Sequence, residues 1–235
     1  MNKEVNDLKD QAQGLEIRDL LALLVERFCD RLGFATSFGG EDQVLTDLLC
    51  GLSSSVSIFT LDTGRLPQET YDCMAATQKK YGVTIEIAFP QHQQVEEMVK
   101  QHGPNLFYDS VENRKRCCGV RKIEPLKRQL KKLDAWITGL RREQSVTRQD
   151  IDTISWDDTN GLIKICPLAD WTDTQVWDYI RKNDVPYNKL HDQGYPSIGC
   201  QPCTRAVEQG QDVRAGRWWW EDPEQKECGL HWDKR

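Results

Sequence analysis

The pattern that most constrains this chain is an alternation of short apolar segments with longer segments of helical periodicity. The apolar segments predict strands at residues 33–37, 56–61, 83–89, 135–138 and 162–167. Apolar residues at helical spacing predict helices at residues 5–32, 43–52, 68–81, 95–102, 118–133 and 172–183. Strands that alternate with helices favour a mainly parallel sheet with helices on both faces, so the predicted fold class is α/β.

The size of the chain, 235 residues, is enough for one large α/β domain. We predict a single domain over residues 1–235, with a core at about 33–205 and a mobile C-terminal tail at about 218–235. The first 15 residues are polar and charged, and no apolar run approaches a membrane span, so we expect a cytoplasmic protein without a membrane segment. The net charge of −6 disfavours nucleic-acid binding.

Two loops follow predicted strands at the edge where parallel sheets bind ligands. The first is Ser37-Phe38-Gly39-Gly40-Glu41-Asp42, and the second is Leu61-Asp62-Thr63-Gly64. Glycines let the backbone approach a ligand, and free N–H groups at a helix start attract anions. The first loop matches neither the Walker P-loop nor the dinucleotide fingerprint, and alone it is equally compatible with a simple strand–helix turn. Together the two loops predict a nucleotide pocket.

Nine cysteines in a reducing compartment favour metal binding or thiol chemistry over disulfides. Four of them, Cys117-Cys118 and Cys200-x-x-Cys203, form a set of ligands for zinc or for an iron–sulfur cluster. Because neighbouring side chains diverge, the adjacent pair would reach two irons of one cluster more easily than two corners of one zinc tetrahedron. Four other cysteines have apolar or helical neighbours and are interpreted as small core residues, namely Cys29, Cys50, Cys73 and Cys166.

The remaining cysteine, Cys228, lies in the polar tail and has no Cys-x-x-Cys partner. The pattern indicates an exposed nucleophile, and the alternative is a passive surface cysteine, which is disfavoured because exposed free thiols are a liability. A thiolate is the reactive species, and cationic neighbours lower the pKa of a thiol. His231, Arg214 and Arg217 are the candidates for that effect, and they are counted among the predicted substrate-binding residues.

Four segments together resemble a known family. Residues 37–42, 61–64, 139–145 (Gly-Leu-Arg-Arg-Glu-Gln-Ser) and 227–231 (Glu-Cys-Gly-Leu-His) are similar to the signatures of the assimilatory sulfonucleotide reductases, in the order of that family. The resemblance implies a fold like that of the adenine-nucleotide α-hydrolases. It also implies reduction of adenylyl sulfate (APS), or of its 3′-phosphorylated form (PAPS), to sulfite.

The resemblance further assigns roles to the cysteines. Members with this quartet resemble bacterial [4Fe-4S] APS reductases, so Cys117, Cys118, Cys200 and Cys203 would hold a [4Fe-4S] cluster. Cys228 would attack the sulfur of APS, release AMP and carry an S-sulfocysteine. A thioredoxin- or glutaredoxin-like dithiol, which we expect to be a separate protein, would then release sulfite. The sequence is compatible with a homo-oligomer.

Basic residues beside glycines and cysteines suit small, highly charged anions such as sulfate and phosphate. Those expected to hold phosphate and sulfate oxygens are Lys122, Arg141, Arg142, Arg214 and Arg217. The resemblance places Lys122, four residues beyond the cysteine pair, between cluster and substrate. Tryptophans 218–220 are interpreted as core packing rather than substrate stacking, and His191 as structural.

Three alternatives stay open. PAPS is the first, as the true or second substrate. The second is an ATP pyrophosphatase-type sulfur-transfer enzyme, whose loop reads Ser-Gly-Gly-Lys-Asp-Ser; here Glu41 replaces the lysine, and a carboxylate would repel a triphosphate. The third is an iron–sulfur sensor that binds nucleic acid, which the acidic balance of the chain disfavours.

Overall fold

The computed structural model describes residues 3–52, 56–145, 148–208 and 210–222. In these ranges the strands are β1 (Leu32–Thr36), β2 (Ser57–Leu61), β3 (Glu86–Ala88), β4 (Ala135–Ile137), β5 (Ile154–Asp157) and β6 (Leu162–Ile165). The α-helices are α1 (Lys3–Ala12), α2 (Ile17–Phe28), α3 (Gly40–Cys50), α4 (Gln68–Tyr81), α5 (His92–His102), α6 (Val111–Cys118), α7 (Glu124–Leu130) and α8 (Asp173–Lys182). This alternation confirms the predicted α/β class.

The six strands form one sheet in the order β3-β2-β1-β4-β6-β5. Neighbouring strands are parallel except β5 and β6, which pair antiparallel. The chain moves outward from β1 to β2 and β3, and then returns to place β4 on the other side of β1. At such a reversal the loops after the two central strands separate and leave a crevice, which is where open α/β sheets bind ligands.

Helices cover both faces of the sheet because successive strand residues point to opposite sides. Phe34, Ile137 and Ile165 belong to one buried cluster, together with residues of α2, α3 and α8. Phe59 and Trp136 belong to a second cluster, which includes residues of α7. The burial of these apolar side chains on both faces holds the sheet between its helical layers. In the described ranges, no helix is long and apolar enough to cross a membrane.

The strands β5 and β6 form a hairpin, of which the sequence pattern predicted β6 but not β5. The side chain of Asp157 organises the turn, since its Oδ1 accepts hydrogen bonds from the backbone N–H groups of Thr159 (3.1 Å) and Asn160 (3.0 Å). Gly161 closes the turn with a φ of 73°, a conformation that suits glycine. An Asp…Asn-Gly turn between two short apolar runs is the sequence signal for this hairpin.

Two predicted helices differ from the structure more than the others do. The helix predicted at residues 5–32 is divided into α1 and α2, with Gly14 at a φ of 74° between them. The helix predicted at residues 118–133 begins earlier, at Val111, because the Ser110 side chain accepts a hydrogen bond from the Asn113 N–H and caps it. A π-helical segment, Gly119–Ile123, joins α6 to α7 directly after the cysteine pair. Such segments occur often at functional sites.

Candidate active site

A cavity of about 660 Å³ lies beyond the carboxyl ends of β1, β2 and β4. The predicted substrate-binding residues in its wall are Ser37, Gly39, Gly40, Glu41, Asp42, Leu61, Lys122, Arg141, Arg214 and Arg217. The others that the structure describes do not line it, namely Phe38, Asp62, Thr63, Gly64 and Arg142. The strand reversal thus brings together loops that are about 100 residues apart in the chain, at the place where the fold class predicts a ligand.

The first loop is shaped by the buried carboxylate of Asp42. Its Oδ2 accepts hydrogen bonds from the Ser37 backbone N–H (2.6 Å) and from Ser37 Oγ (2.8 Å). Burial raises the pKa of Asp42 to about 6, and the bonds from Ser37 partly oppose that rise. Gly139, after β4, packs so closely that a Cβ atom there would collide with Asp42 Oδ1. The first loop and the loop after β4 therefore fit together only with glycine at position 139.

Arg141 has a different set of partners from the one expected. Its guanidinium is buried and donates to Glu41 Oε1 (2.7 Å), to Asp173 Oδ1 (3.1 Å) and to the Trp171 carbonyl (3.1 Å). It therefore neutralises Glu41 in the cavity wall. Arg142, outside the wall, forms an ion pair with Asp170.

The second loop runs from this cavity to the cysteines. Leu61 lines the cavity, whereas Asp62 turns away and accepts hydrogen bonds from the Gly64 N–H (2.8 Å) and the Tyr71 hydroxyl (3.0 Å). Thr63 Oγ1 lies 3.2 Å from Cys200 Sγ. The loop expected to bind nucleotide is thus also a support for the cysteine region.

The four predicted metal-ligating cysteines line one second, small cavity. Cys117 and Cys118 end α6, Cys200 precedes the short 3₁₀ turn Gln201–Cys203, and Cys203 ends it. Cys117, Cys118 and Cys203 are buried, and Cys200 is half-buried. All four are free thiols. Segments more than 80 residues apart in the chain therefore place four thiols around one small space.

Cationic side chains surround these thiols. Those in the wall of the same cavity are Arg65, Arg114, Arg121, Lys122 and Arg217. Burial raises the pKa of Cys203 to about 12, and the nearby charges of Lys122 and Arg217 oppose that rise. Such a ring of cations compensates the negative charge that four metal-bound thiolates would carry.

The sequence leaves two kinds of centre open for the four cysteines, a single zinc ion and an iron–sulfur cluster. Within residues 3–52, 56–145, 148–208 and 210–222, no three His, Cys, Asp or Glu side chains are grouped closely enough to hold a single metal ion. An iron–sulfur cluster requires a wider arrangement, because each cysteine binds a different iron. Four free, largely buried thiols around one cation-lined cavity fit a cluster.

The two cavities share part of their walls. Lys122, Arg217 and Trp218 line both of them. The Arg217 guanidinium stacks 4.7 Å from the centre of the Trp218 ring and donates to the Ile198 carbonyl (3.3 Å). Gly199 gives it the space, since a Cβ atom there would collide with the guanidinium. The wall between the cavities is therefore cationic and tightly packed.

A buried ion pair holds the C-terminal segment against the cysteine cavity. Glu221 accepts two hydrogen bonds from Arg114, from Nε (2.9 Å) and from Nη2 (2.7 Å), and both side chains are at most 1% exposed. Trp218 is buried in the same cluster as the cysteines, as the core-packing interpretation predicts. The predicted nucleophile Cys228 and the predicted tail residue His231 lie outside the described residues.

Some residues in the two walls were not selected from the sequence. His191, Trp177 and Asp173 line the large cavity, and Arg65 lines the cysteine cavity. His191 had one sequence signal, its proximity to the Cys-x-x-Cys turn, and it was interpreted as structural. Among the cysteines interpreted as core residues, Cys73 and Cys166 are buried and Cys50 is half-buried, whereas Cys29 is exposed, so that interpretation was wrong for Cys29.

The sequence model of a family described as the phosphoadenosine phosphosulfate reductase domain matches residues 31–206. The chain belongs to this family. The matched region of the reductase domain contains both cavity loops and all four clustered cysteines. The membership of the chain in this family confirms the resemblance to the sulfonucleotide reductases.

Named relatives of this reductase domain include bacterial enzymes. Adenosine 5′-phosphosulfate reductase of Allochromatium vinosum is 53% identical over 92% of this chain and 86% of the relative. The protein of the same name from Burkholderia cepacia is 50% identical over 90% of this chain and 84% of the relative. Among solved structures, the phosphoadenylyl-sulfate (PAPS) reductase of Candida auris superposes with a TM-score of 0.74 at 31% identity, covering 88% of this chain and 98% of that one.

A more distant structural neighbour shows the fold alone. Yeast FAD synthetase superposes with a TM-score of 0.55 at 15% identity, over 88% of this chain and 70% of that one. The likeness shows that the reductase domain shares its sheet architecture with this FAD synthetase.

Proposed function

We propose that this protein reduces APS to sulfite and AMP with electrons from a thioredoxin- or glutaredoxin-like dithiol. The observation that carries the proposal is the shared cationic wall: Lys122 and Arg217 line both the strand-end cavity and the cysteine cavity. The names of the relatives supply the substrate, since the two most similar ones described above are adenosine 5′-phosphosulfate reductases. The place of this activity would be the assimilation of sulfate in the cytoplasm.

The nucleotide would occupy the large cavity, with its phosphosulfate group toward the shared wall. Lys122 and Arg217 are cations of that wall, and Arg214 lines the large cavity 5.9 Å from the centre of the Trp218 ring. They suit an anion with many oxygens, and they would stabilise the charge that builds on the phosphate as AMP departs. Glu41 and its partner Arg141 would lie at the nucleoside.

The cysteine quartet would hold a [4Fe-4S] cluster. When bound, the cluster would supply a fixed charge beside the sulfate, rather than the two electrons that reduction to sulfite requires. Lys122 would contact substrate on one side of the shared wall and face the cysteines on the other. Arg65 and Arg121 would compensate the thiolate charge.

The reaction would proceed through Cys228. Its thiolate would attack the sulfur of APS, forming an S–S bond while the bond from sulfur to the bridging oxygen breaks and AMP leaves with the electron pair. The enzyme would then carry an S-sulfocysteine. A thiolate of the reductant would attack Cys228 Sγ and release sulfite, and its second thiol would resolve the mixed disulfide, so that the dithiol supplies both electrons.

The deciding experiment is the intact mass of anaerobically prepared protein after exposure to APS or to PAPS without any thiol. A sulfonate adduct on Cys228 with APS, and its absence in Cys228→Ser, is the expected result. Cluster-containing protein that forms no adduct with either nucleotide would overturn the proposal.

PAPS is a second candidate substrate, which two observations favour. The matched family is described by PAPS, and the similar Candida auris structure is named a PAPS reductase. Adducts with both nucleotides would show a dual-specificity enzyme, and an adduct with PAPS alone would replace APS as the substrate.

A further inference from the structure

One histidine in the large cavity has a ring nitrogen that neither the fold nor the proposed reaction uses. His191 lines the cavity, and its Nε2 atom is buried without a hydrogen-bond partner among the described residues. A buried polar atom without a partner costs about 1–3 kcal/mol, so its presence in a ligand cavity needs an explanation.

The orientation of the imidazole ring is fixed by its surroundings. Trp177 packs edge-on against it, with ring centres 5.1 Å apart at 76°. The Tyr195 backbone contributes a hydrogen-bonding effect that raises the pKa of His191, as an accepting carbonyl would. Because Nε2 has no hydrogen-bond partner among the described residues, we assign this contact, and the proton of the neutral ring, to Nδ1.

The helix that carries His191 is itself anchored. It is the 3₁₀ helix Lys189–Gln193, and its N-cap residue Asn188 is fully buried. Asn188 donates a hydrogen bond to Thr70 Oγ1 (3.0 Å) in α4. The imidazole is therefore positioned before any ligand arrives, which lowers the entropy cost of a contact with it.

The protonation state of the ring determines what it can bind. Burial lowers the pKa of His191, and this effect exceeds the opposite effect of the nearby carboxylates of Glu41 and Asp173. The imidazole is neutral at neutral pH, its Nδ1 proton is held by the backbone, and Nε2 presents a lone pair. The matching group on a ligand is an uncharged N–H or O–H donor.

The position of His191 in the wall indicates which part of the nucleotide it would meet. The phosphosulfate group is attracted to Lys122 and Arg217, which also line the cysteine cavity, whereas His191 does not line that cavity. The carboxylates of Glu41 and Asp173 near it share one guanidinium, that of Arg141, so this part of the wall has no excess positive charge to attract an anion. The uncharged donors of an adenine nucleotide are the ribose hydroxyls and the adenine amino group.

We propose that His191 is a substrate-binding residue whose Nε2 accepts a hydrogen bond from the nucleoside part of the nucleotide. The proposal rests on the proposed function only in taking an adenine nucleotide as the ligand. His191 takes no part in the sulfur chemistry and acts on affinity.

The test is AMP binding by calorimetry to the cluster-containing protein and two variants. His191→Asn keeps a group at the position of Nδ1, which bonds Tyr195, but has none at the position of Nε2. His191→Gln places its amide oxygen near Nε2. We expect His191→Asn to bind AMP about 5- to 30-fold more weakly, and His191→Gln to recover most of that loss. Pyrophosphate, which lacks a nucleoside, should bind equally to all three.

The analogues identify the donor. Inosine monophosphate lacks the amino group and 3′-deoxy-AMP lacks one hydroxyl, and the analogue that lacks the donor should bind wild type and His191→Asn equally. Unchanged AMP binding in His191→Asn would overturn the proposal. So would a parallel loss of AMP binding, pyrophosphate binding and melting temperature in both variants, which would identify His191 as a packing residue. Wild-type protein that binds no AMP would instead contradict the proposed function itself.

Discussion

The two cavities of this protein are built in different ways. The large cavity lies where the strand order reverses, so its position follows from the sheet topology, and its wall is made of loops after β1, β2 and β4. The cysteine cavity lies beside the sheet and is assembled from the end of α6, a short 3₁₀ turn and the C-terminal segment. No strand of the sheet lies in its described wall, which is held by a few backbone hydrogen bonds, such as that from the Trp218 N–H to the Cys203 carbonyl (3.2 Å), and by side chains.

The position of the large cavity is thus set by the strand order, whereas the cysteine cavity depends more on ion pairs and side-chain packing. The large cavity lies on strands of the sheet, which fix its position, and the buried carboxylate of Asp42 joins its loops through Ser37 and Gly139. The cysteine cavity depends on a buried ion pair, Arg114 with Glu221, and on cations placed near thiols. Changes to ionisable side chains should therefore affect the second cavity more than the first.

The largest effect is expected from removing a cysteine of the small cavity. In Cys203→Ser we expect iron and acid-labile sulfide to fall below about a tenth of the wild-type content, because cluster assembly needs all four ligands. Cys73→Ser is the matched control, since Cys73 is also buried but lies outside this cavity, and it should retain its iron. Iron retained in Cys203→Ser would show that this cavity does not hold the cluster through Cys203.

Breaking the buried ion pair should have the next largest effect. Glu221→Gln leaves the charge of Arg114 buried without a carboxylate, and we expect the free energy of unfolding to fall by about 3–5 kcal/mol in a denaturant titration. The control is Asp178→Asn, which breaks an exposed pair with Arg181 and should cost less than about 1 kcal/mol. Equal losses in the two variants would show that the C-terminal segment is not held by this pair.

The shared wall is tested by Lys122. Lys122→Ala should raise the KM for APS by about 10- to 100-fold, the effect of losing a charge-assisted hydrogen bond, while the iron content stays at its wild-type value. Lys122→Arg, which keeps the charge, should show a smaller rise, and Lys127→Ala, an exposed lysine in α7, should show none. A Lys122→Ala protein with unchanged kinetics would mean that the two cavities work independently.

The smallest effect concerns pH and the large cavity. The pKa of Asp42 is raised in the folded protein from 3.8 to about 6, so the folded state binds this proton more tightly than the unfolded state. Its contribution to stability is greatest at low pH and is lost as the pH rises through about 6, a fall of about 1.4 kcal/mol between about pH 5 and 7.5. Between these two pH values the free energy of unfolding of wild type should fall by this amount relative to that of Asp42→Asn, and an equal pH dependence of the two proteins would contradict it.

Much of the fold could be predicted because the pattern of apolar residues is local. The range of α4 was predicted correctly, and β1, β2, β4 and β6 were found within two residues of their ends. β5 was missed because its alternation is short and one of its faces is polar. The early start of α6 was missed because its first turns are charged and carry no apolar periodicity.

The sequence by itself determined the types of chemistry in this protein, because residue types and spacings, such as the Cys-x-x-Cys turn and the two strand-end loops, are local properties of the chain. Only the tertiary structure decided the partners. It pairs Arg141 with Glu41, Arg114 with Glu221 and Thr63 with Cys200, contacts that join residues 100 or more positions apart. Such pairings depend on strand order and on the packing of distant segments, which no local pattern contains.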